Sequence, residues 1–136
     1  MSQENVEKAR AFIEAYNRRD FEAALADFDP EIEWVLPPQQ SSDSGRGREA
    51  VMSFFEGIDE TMEDLQLHAQ EYVDGGDRVA TRLRHSGRGR ESGLEIDTEL
   101  YHQVATFDSD GVIVRMEYFD DWDEALEATS GSAGTP

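Results

Sequence analysis

The sequence predicts an α+β domain in which a curved antiparallel sheet wraps around N-terminal helices as a cone-shaped α+β barrel. Helical patterns dominate the first 62 residues, and four strand-like stretches then follow one another from residue 65 onward, separated by turn signals. The length of 136 residues suits one domain with one core, since domains usually have about 100–150 residues. A curved sheet around a long helix leaves a cone whose open end can take a small apolar ligand.

The beginning of the chain carries the pattern of two helices joined by a turn. Residues 4–18 place apolar side chains at helical spacing, with glutamates near the start and arginines at the end, which matches the helix dipole. Asp20 is suited to cap a short second helix, whose apolar face extends to Phe28 before Asp29-Pro30 ends it.

A short strand and a third helix follow. Ile32–Leu36 reads as a strand that Pro37-Pro38 closes, and residues 39–47 form a polar loop. The third helix runs from about Arg48 to Met62. Its predicted buried stripe consists of Val51, Phe54, Phe55, Ile58 and Met62.

The second half of the chain reads as strands. Aspartate- and glycine-rich turns separate them, and loops of this size join antiparallel neighbours. The predicted strands are Leu65–Val73, Val79–His85, Leu94–Phe107 and Val112–Phe119. A short helix over residues 121–128 closes the single domain, 1–128, and the apolar-poor residues 129–136 are expected to be a disordered tail.

Composition excludes several classes of function. The chain has 31 acidic and 12 basic residues and a formal net charge of −19, which repels nucleic-acid backbones and anionic membranes. It has no cysteine and no apolar stretch of the length that a membrane span or a secretion signal needs, so we expect a cytoplasmic protein. Lys8 is the single lysine, which suits either a high-salt cytoplasm or a GC-rich genome.

The order of the elements resembles a known superfamily. The segments SGRGRESGLEID and DGVIVRMEYFDDWDEALEA carry the most specific part of the resemblance. Over residues 4–128 the chain is similar to the nuclear-transport-factor-2-like proteins, and most to the SnoaL-like polyketide cyclases and ketosteroid-isomerase-related proteins. The resemblance implies a cone-shaped pocket for a small hydrophobic molecule, a homodimer built on the sheet face, and no cofactor. It implies no single reaction, because this fold serves several enzyme classes and also non-catalytic proteins.

Enzymes of this superfamily pair a buried base with polar groups that stabilise an oxyanion. In the related limonene epoxide hydrolase, an aspartate precedes the final Tyr-Phe-Asp. Matching backwards from Tyr118-Phe119-Asp120 places Glu117 there, whereas counting forward from Gly111 places Tyr118 there. Strand alternation puts Tyr118 on the same face as Met116, so we favour Tyr118 as the inward residue and Glu117 as a surface or dimer-face residue.

Two histidines are candidate pocket residues. His85 ends the apolar face of one strand, either as a partly exposed strand-end residue or as a pocket donor or base. The neighbouring Arg82 and Arg84 have the spacing of the hydrolase's arginine–aspartate pair but supply no acid. His102 lies on the apolar face of the long strand, together with Val104, and is either a core histidine or a base. The opposite face of this strand carries Glu95, Asp97, Glu99, Tyr101 and Gln103.

These observations predict a polar pair in an apolar cone, with His102 as the base and Tyr118 as the donor to an oxyanion, and with Asp120 as a second candidate base. Trp34 is equally interpreted as plain core. The predicted ligand-pocket residues are Phe12, Tyr16, Trp34, Phe54, Phe55, His85 and Met116. The histidines show no paired-ligand spacing, so no metal site is predicted.

Two functions remain open. The first is proton-transfer chemistry of the isomerase, cyclase or dehydratase type on a small hydrophobic carbonyl compound. The second is a non-catalytic ligand-binding or dimerisation module, which the missing inward carboxylate favours.

The charge pattern adds a structural expectation. Five arginines and no acid lie between residues 78 and 90, and twelve acids with one arginine lie between residues 91 and 127. Antiparallel pairing of these blocks predicts a mixed-charge sheet face, and this face is the expected dimer surface.

Overall fold

The α+β architecture is confirmed in the computed structural model of the protein, which describes residues 2–38 and 44–134. Residues 39–43 of the predicted polar loop and the last two residues of the predicted tail lie outside the described part. The elements are α1 (Ser2–Asn17), α2 (Phe21–Ala24), β1 (Phe28–Val35), β2 (Gly45–Arg46), α3 (Arg48–Thr61), β3 (Met62–Asp74), β4 (Arg78–Gly89), β5 (Glu95–Thr98), β6 (His102–Phe107), β7 (Ile113–Phe119) and α4 (Trp122–Gly134).

The strands form one curved, unclosed sheet in the order β2-β1-β7-β6-β4-β3, with β5 pairing to β4. All described neighbours are antiparallel except β1 and β7, which are parallel. The first strand begins at Phe28, four residues earlier than predicted, because the apolar side chain of Phe28 belongs to the sheet rather than to the short α2. No helix in the described segments is long and apolar enough to cross a bilayer.

Helix α1 lies along the inner side of the sheet, and its predicted apolar stripe is buried there. Asn17, at its C-terminal end, is bonded to β3 in both directions: its Nδ2 donates to the Leu67 carbonyl oxygen, and its Oδ1 accepts from the Leu67 N–H, each at 2.9 Å. Nearer its start, Lys8 Nζ donates to the Gly111 carbonyl oxygen at 2.7 Å. Helix α1 is thereby fixed across the sheet, and it forms one wall of the cone.

The long strand predicted over Leu94–Phe107 is two strands, and the break reverses which side chains face inward. His85 pairs with Thr98, and Thr81 pairs with Gln103. Between these two pairs, β4 advances by four residues and the segment from β5 to β6 advances by five. The segment between Thr98 and Gln103 therefore contains one extra residue. Since side chains alternate along a strand, one extra residue turns every later side chain to the opposite face.

Helix α4 covers part of the outer face of the sheet and extends beyond its predicted end at residue 128. Thr129 is buried, and its Oγ1 donates to the Ala125 carbonyl oxygen at 2.9 Å. Arg78 Nη1 donates to the Ala128 carbonyl oxygen at 2.7 Å. A Cβ on Gly75 would lie 2.6 Å from Thr129 Cγ2, so glycine is required for this close approach. Helix α4 therefore continues past its predicted end at residue 128, to Gly134.

The uncovered outer face carries the predicted mixture of charges. Between β4 and β5, three arginines pair with three carboxylates: Arg82 with Glu99, Arg84 with Asp97 and Arg88 with Glu95. Arg115 on β7 bridges the carboxylates of Glu33 and Glu117 at 3.3 and 3.2 Å. These exposed pairs balance charge locally but each contributes only about 0–1 kcal/mol to stability. Dimerisation through this face stays a prediction.

Candidate functional site

A cavity of about 460 Å³ lies between α1, α3 and the inner face of the sheet. Aromatic and aliphatic side chains make up most of its wall. Six of the seven predicted pocket residues line it: Phe12, Tyr16, Trp34, Phe54, Phe55 and His85. None of the lining residues in the described part of the chain is an aspartate, glutamate, lysine or arginine.

Phe55, on α3, is the centre of the aromatic wall. Its ring centroid lies within 5.0 to 6.2 Å of four other rings. These rings belong to Phe12, Tyr16, Phe21 and Trp34. Helical spacing on α1 and α3 and alternation on β1 direct these side chains to one place, so the cavity is an extension of the hydrophobic core.

Three predicted site residues lie elsewhere. Met116 is fully buried in the core opposite Ala105 and does not line the cavity. Asp120 is exposed just beyond the end of β7, outside the cavity. His102 is buried on the outer face of β6, where its ring packs edge-on against Trp122 at 5.4 Å. The extra residue before Gln103 explains the error at His102, since it moves this side chain from the inner to the outer face.

His102 has the contacts of a core histidine. Its Nδ1 accepts from the Leu83 N–H at 3.2 Å, and its Nε2 lies 3.4 Å from the Glu99 carboxylate. Burial lowers the pKa of His102 below its ordinary value, although Glu99 acts in the opposite direction. His102 and Tyr118 face opposite sides of the sheet, so the predicted catalytic pair is not formed.

Tyr118 lines the cavity, whereas Glu117 lies on the outer face beside Arg115. The inward placement favoured for Tyr118 is therefore confirmed. Its hydroxyl donates to Gln103 Oε1 at 3.0 Å, within the buried interior. Burial raises the pKa of Tyr118 far above its ordinary value, so this residue keeps its proton at physiological pH.

His85 is the histidine that belongs to the cavity. It is 5% exposed, because β4 continues past it to Gly89 and β5 covers that end of the strand; its interpretation as a partly exposed strand-end residue is wrong. Its Nδ1 accepts from the Leu100 N–H at 3.4 Å. Burial lowers the pKa of His85 to about 4, the nearby His102 and His68 lower it further, and the Thr98 backbone opposes this shift. The imidazole is therefore neutral at pH 7.

Five buried side-chain polar atoms have no hydrogen-bond partner among the described residues; one is Arg78 Nε, and the other four belong to residues that face the interior of the cone. These four are Tyr16 Oη, Trp34 Nε1, Thr81 Oγ1 and Gln103 Nε2. Burial raises the pKa of Tyr16 to about 12, so its hydroxyl is also protonated. Buried polar groups without a partner are rare and costly, so this group of atoms marks the inner face as a place for polar recognition.

Gln103 is the inward residue that the sequence analysis missed. The unbroken alternation assumed for the long strand placed it with the acidic residues of the outer face. A signal was present: a glutamine among valine, alanine and threonine in HQVATF is out of place on a solvated, acidic face.

The described residues contain no group of three or more histidines, aspartates or glutamates that is placed to hold a metal ion.

Comparisons with solved structures identify the fold. A Burkholderia thailandensis protein, described as NTF2-like, is 27% identical with a TM-score of 0.73, over 97% of this chain and 98% of that one. An NTF2-like protein of unknown function from Burkholderia pseudomallei is 22% identical with a TM-score of 0.77, over 90% and 95%. A putative polyketide cyclase from Xanthomonas campestris is 22% identical with a TM-score of 0.72, over 94% and 98%.

The curated proteins contain no significant match to the chain. The family model of the SnoaL-like domain matches residues 9–116, a range that begins in α1, ends within β7 and contains every described cavity-lining residue except Tyr118. The chain therefore belongs to the SnoaL-like domain family.

Proposed function

We propose that the protein binds a small, mostly apolar and uncharged molecule that carries a hydrogen-bond-accepting oxygen, such as a carbonyl. The observation that carries this proposal is an apolar cavity lined by two residues whose buried donors have no partner among the described residues, the Tyr16 hydroxyl and the Trp34 indole N–H. Binding rather than catalysis is the first choice because no carboxylate lines the described cavity.

The cavity wall limits the charge of the ligand. Transfer of an ion from water into an apolar site costs several kcal/mol unless a counter-charge compensates it. The described wall has no lysine, arginine or carboxylate, and His85, which also lines it, is neutral at pH 7. A neutral ligand is therefore favoured, and the aromatic rings around Phe55 suit a flat ring system.

The two unpartnered donors specify the polar group of the ligand. Tyr16 is 2% exposed and Trp34 is 1% exposed, so bulk solvent has almost no access to the Tyr16 O–H and the Trp34 N–H. A ligand oxygen that accepts from either donor removes a cost of about 1–3 kcal/mol. The rings of both residues contact Phe55, with centroid distances of 5.0 and 5.8 Å, so both residues belong to the same aromatic cluster of the wall.

A matched pair of tricyclic compounds tests this proposal. Fluorene and 9-fluorenone have the same ring shape, but only fluorenone carries an acceptor. Equilibrium dialysis should show tighter binding of fluorenone to the wild-type protein, by about 5- to 30-fold, which corresponds to one buried hydrogen bond. Tyr16→Phe and Trp34→Phe should each reduce this preference while leaving fluorene binding within about twofold.

Tyr72→Phe is the control, because Tyr72 lies on β3, outside the cavity, with its ring under the Arg10 guanidinium at 4.9 Å. This variant should keep the preference for fluorenone. Equal affinity of the wild-type protein for the two compounds would show that the buried donors do not recognise ligands, and absence of binding for both would overturn the binding function itself.

Proton transfer is the second candidate, and His85 is the observation that favours it. A neutral imidazole on the cavity wall is able to take a proton from the carbon beside a carbonyl, although a pKa near 4 makes it a weak base. The test is deuterium exchange at that carbon of 2-tetralone, followed by NMR. If this function is correct, exchange exceeds the buffer rate and falls at least tenfold in His85→Gln but not in His68→Gln. Exchange at the buffer rate in the wild-type protein would exclude it for this ketone.

A further inference from the structure

Three adjacent strands present one row of polar side chains on the inner face of the sheet. Tyr118 on β7 pairs in register with Gln103 on β6, which pairs with Thr81 on β4. Gln103 and Thr81 are fully buried, and Tyr118 is 9% exposed. The next row towards the closed end of the cone is apolar, with Met116, Ala105 and Val79. The polar row therefore interrupts an otherwise hydrophobic inner surface.

The hydrogen bond within this row fixes the direction of the Tyr118 hydroxyl. A tyrosine hydroxyl has one proton to donate and lone pairs that accept. The Tyr118 proton is directed at Gln103 Oε1, 3.0 Å away. The proton of the Tyr118 hydroxyl is therefore used within the fold, and only the lone pairs of its oxygen stay available to a ligand, in contrast to the donor role that the sequence predicted for this residue.

Gln103 makes this arrangement at a cost. Its Nε2 has no acceptor among the described residues, and its side chain does not line the cavity. An apolar residue at this position would remove the unpaired amide, which costs about 1–3 kcal/mol, but would leave the Tyr118 hydroxyl without its acceptor. A residue that is costly for folding and does not reach the cavity is best explained by its effect on Tyr118, the neighbour that does.

We infer that Gln103 is a positioning residue that makes Tyr118 a hydrogen-bond acceptor, so that the cavity selects a ligand carrying an N–H or O–H donor. This inference rests on the proposed binding function and extends it. A ligand that satisfies both ends of the site combines an acceptor oxygen for Tyr16 and Trp34 with a donor for Tyr118. Hydroxy- or amino-substituted aromatic ketones have this chemistry.

Carbazole completes the matched set for the experiment, since it has the ring shape of fluorene and a single N–H donor. Equilibrium dialysis of the wild-type protein should show carbazole binding about 5- to 10-fold tighter than fluorene. Tyr118→Phe should abolish this preference and leave fluorenone affinity unchanged. Gln103→Leu removes the acceptor of the Tyr118 proton, which Tyr118 then donates to a ligand. Fluorenone affinity should therefore rise about fivefold, and carbazole should no longer bind more tightly than fluorene.

Thr81→Val is the control, because it removes the other polar side chain of the row without touching the Tyr118–Gln103 bond. It should keep the carbazole preference. Gln103→Met serves as a second variant, and thermal unfolding of each protein checks that it is folded. If both variants are folded and the ratio of carbazole affinity to fluorenone affinity is the same in Gln103→Leu and Gln103→Met as in the wild-type protein, the inference is overturned.

A loss of fluorenone affinity in Tyr118→Phe also overturns the inference, because it shows that the Tyr118 proton points into the cavity. The two proposals fail separately. A wild-type protein that prefers fluorenone but not carbazole retains the proposed binding function and refutes the role of Gln103. A protein that binds none of the three compounds refutes the binding function first.

Discussion

Replacement of Phe55 by alanine is expected to lower the free energy of unfolding by about 3–5 kcal/mol, the range for a buried phenylalanine truncated to alanine. Phe55 is 3% exposed and holds four aromatic rings together at the junction of α1, α2, α3 and β1. The loss combines the transfer free energy of the ring, the cavity that remains, and the edge-on and tilted contacts with its neighbours.

Chemical denaturation followed by far-UV circular dichroism measures this loss, and Phe54→Ala is the matched control. Phe54 is adjacent on the same helix and also lines the cavity, but it is half-buried and its ring contacts Trp34, at 5.5 Å. Its truncation should cost about half as much. Equal losses for the two variants would contradict the central position of Phe55 in the aromatic wall.

The parts of the fold that have one buried face were predictable from the sequence. Helices α1 and α3 and strand β7 each bury one face, so the spacing of apolar residues identifies that face directly. Phe12, Tyr16, Phe55 and Tyr118 were placed inward on this basis, and the structure confirms their orientation.

The errors concentrate in β6, where both faces are buried. The inner face of β6 lies in the main core, and its outer face packs under α4, with Val104 against Ala125. Hydropathy cannot distinguish two buried faces, and the extra residue after Thr98 is fixed by pairing with β4 rather than by any local pattern. His102 was therefore placed inward and Gln103 outward, and both assignments are wrong.

Helix α4 illustrates a second limit of the sequence. Its last turns, TSGSAG, contain residues with little helix propensity and no large apolar side chain. Tertiary contacts supply what the local sequence lacks: the β3–β4 turn approaches Thr129 at Gly75, and Arg78 binds the Ala128 carbonyl oxygen. A prediction from composition alone ends the helix too early, because these contacts come from residues 50 positions away.

Acid is expected to destabilise the protein through His85, by about 3 kcal/mol between pH 7 and pH 4. Burial lowers the pKa of His85 from 6.5 in the unfolded chain to about 4 in the folded protein, and each pH unit of difference is worth about 1.4 kcal/mol. Between these values the unfolded state binds more protons than the folded state. The contribution of His85 is therefore complete above pH 6.5 and is lost as the pH falls towards 4.

The measurement is the free energy of unfolding against pH, compared between the wild-type protein and His85→Gln in 1 M salt, which shortens the reach of charge repulsion to about 3 Å. Salt matters because the net charge of −19 is neutralised over the same pH range, which relieves repulsion and acts in the opposite direction. The variant should lose less stability on acidification than the wild-type protein by about 3 kcal/mol. Some acid sensitivity remains, because the pKa of His102 is also lowered by burial.

His68→Gln is the control for this comparison, since His68 is only partly buried and its Nε2 bonds to Ser86 Oγ on the outer face of the sheet. Its pH curve should stay much closer to that of the wild-type protein than the curve of His85→Gln does. Parallel curves for His85→Gln and the wild-type protein would show that His85 is hydrated in the folded state. The same result would place the cavity end of β4 in contact with water, which would argue against a neutral imidazole on the cavity wall. Both candidate functions depend on that neutral imidazole, so this titration also tests them.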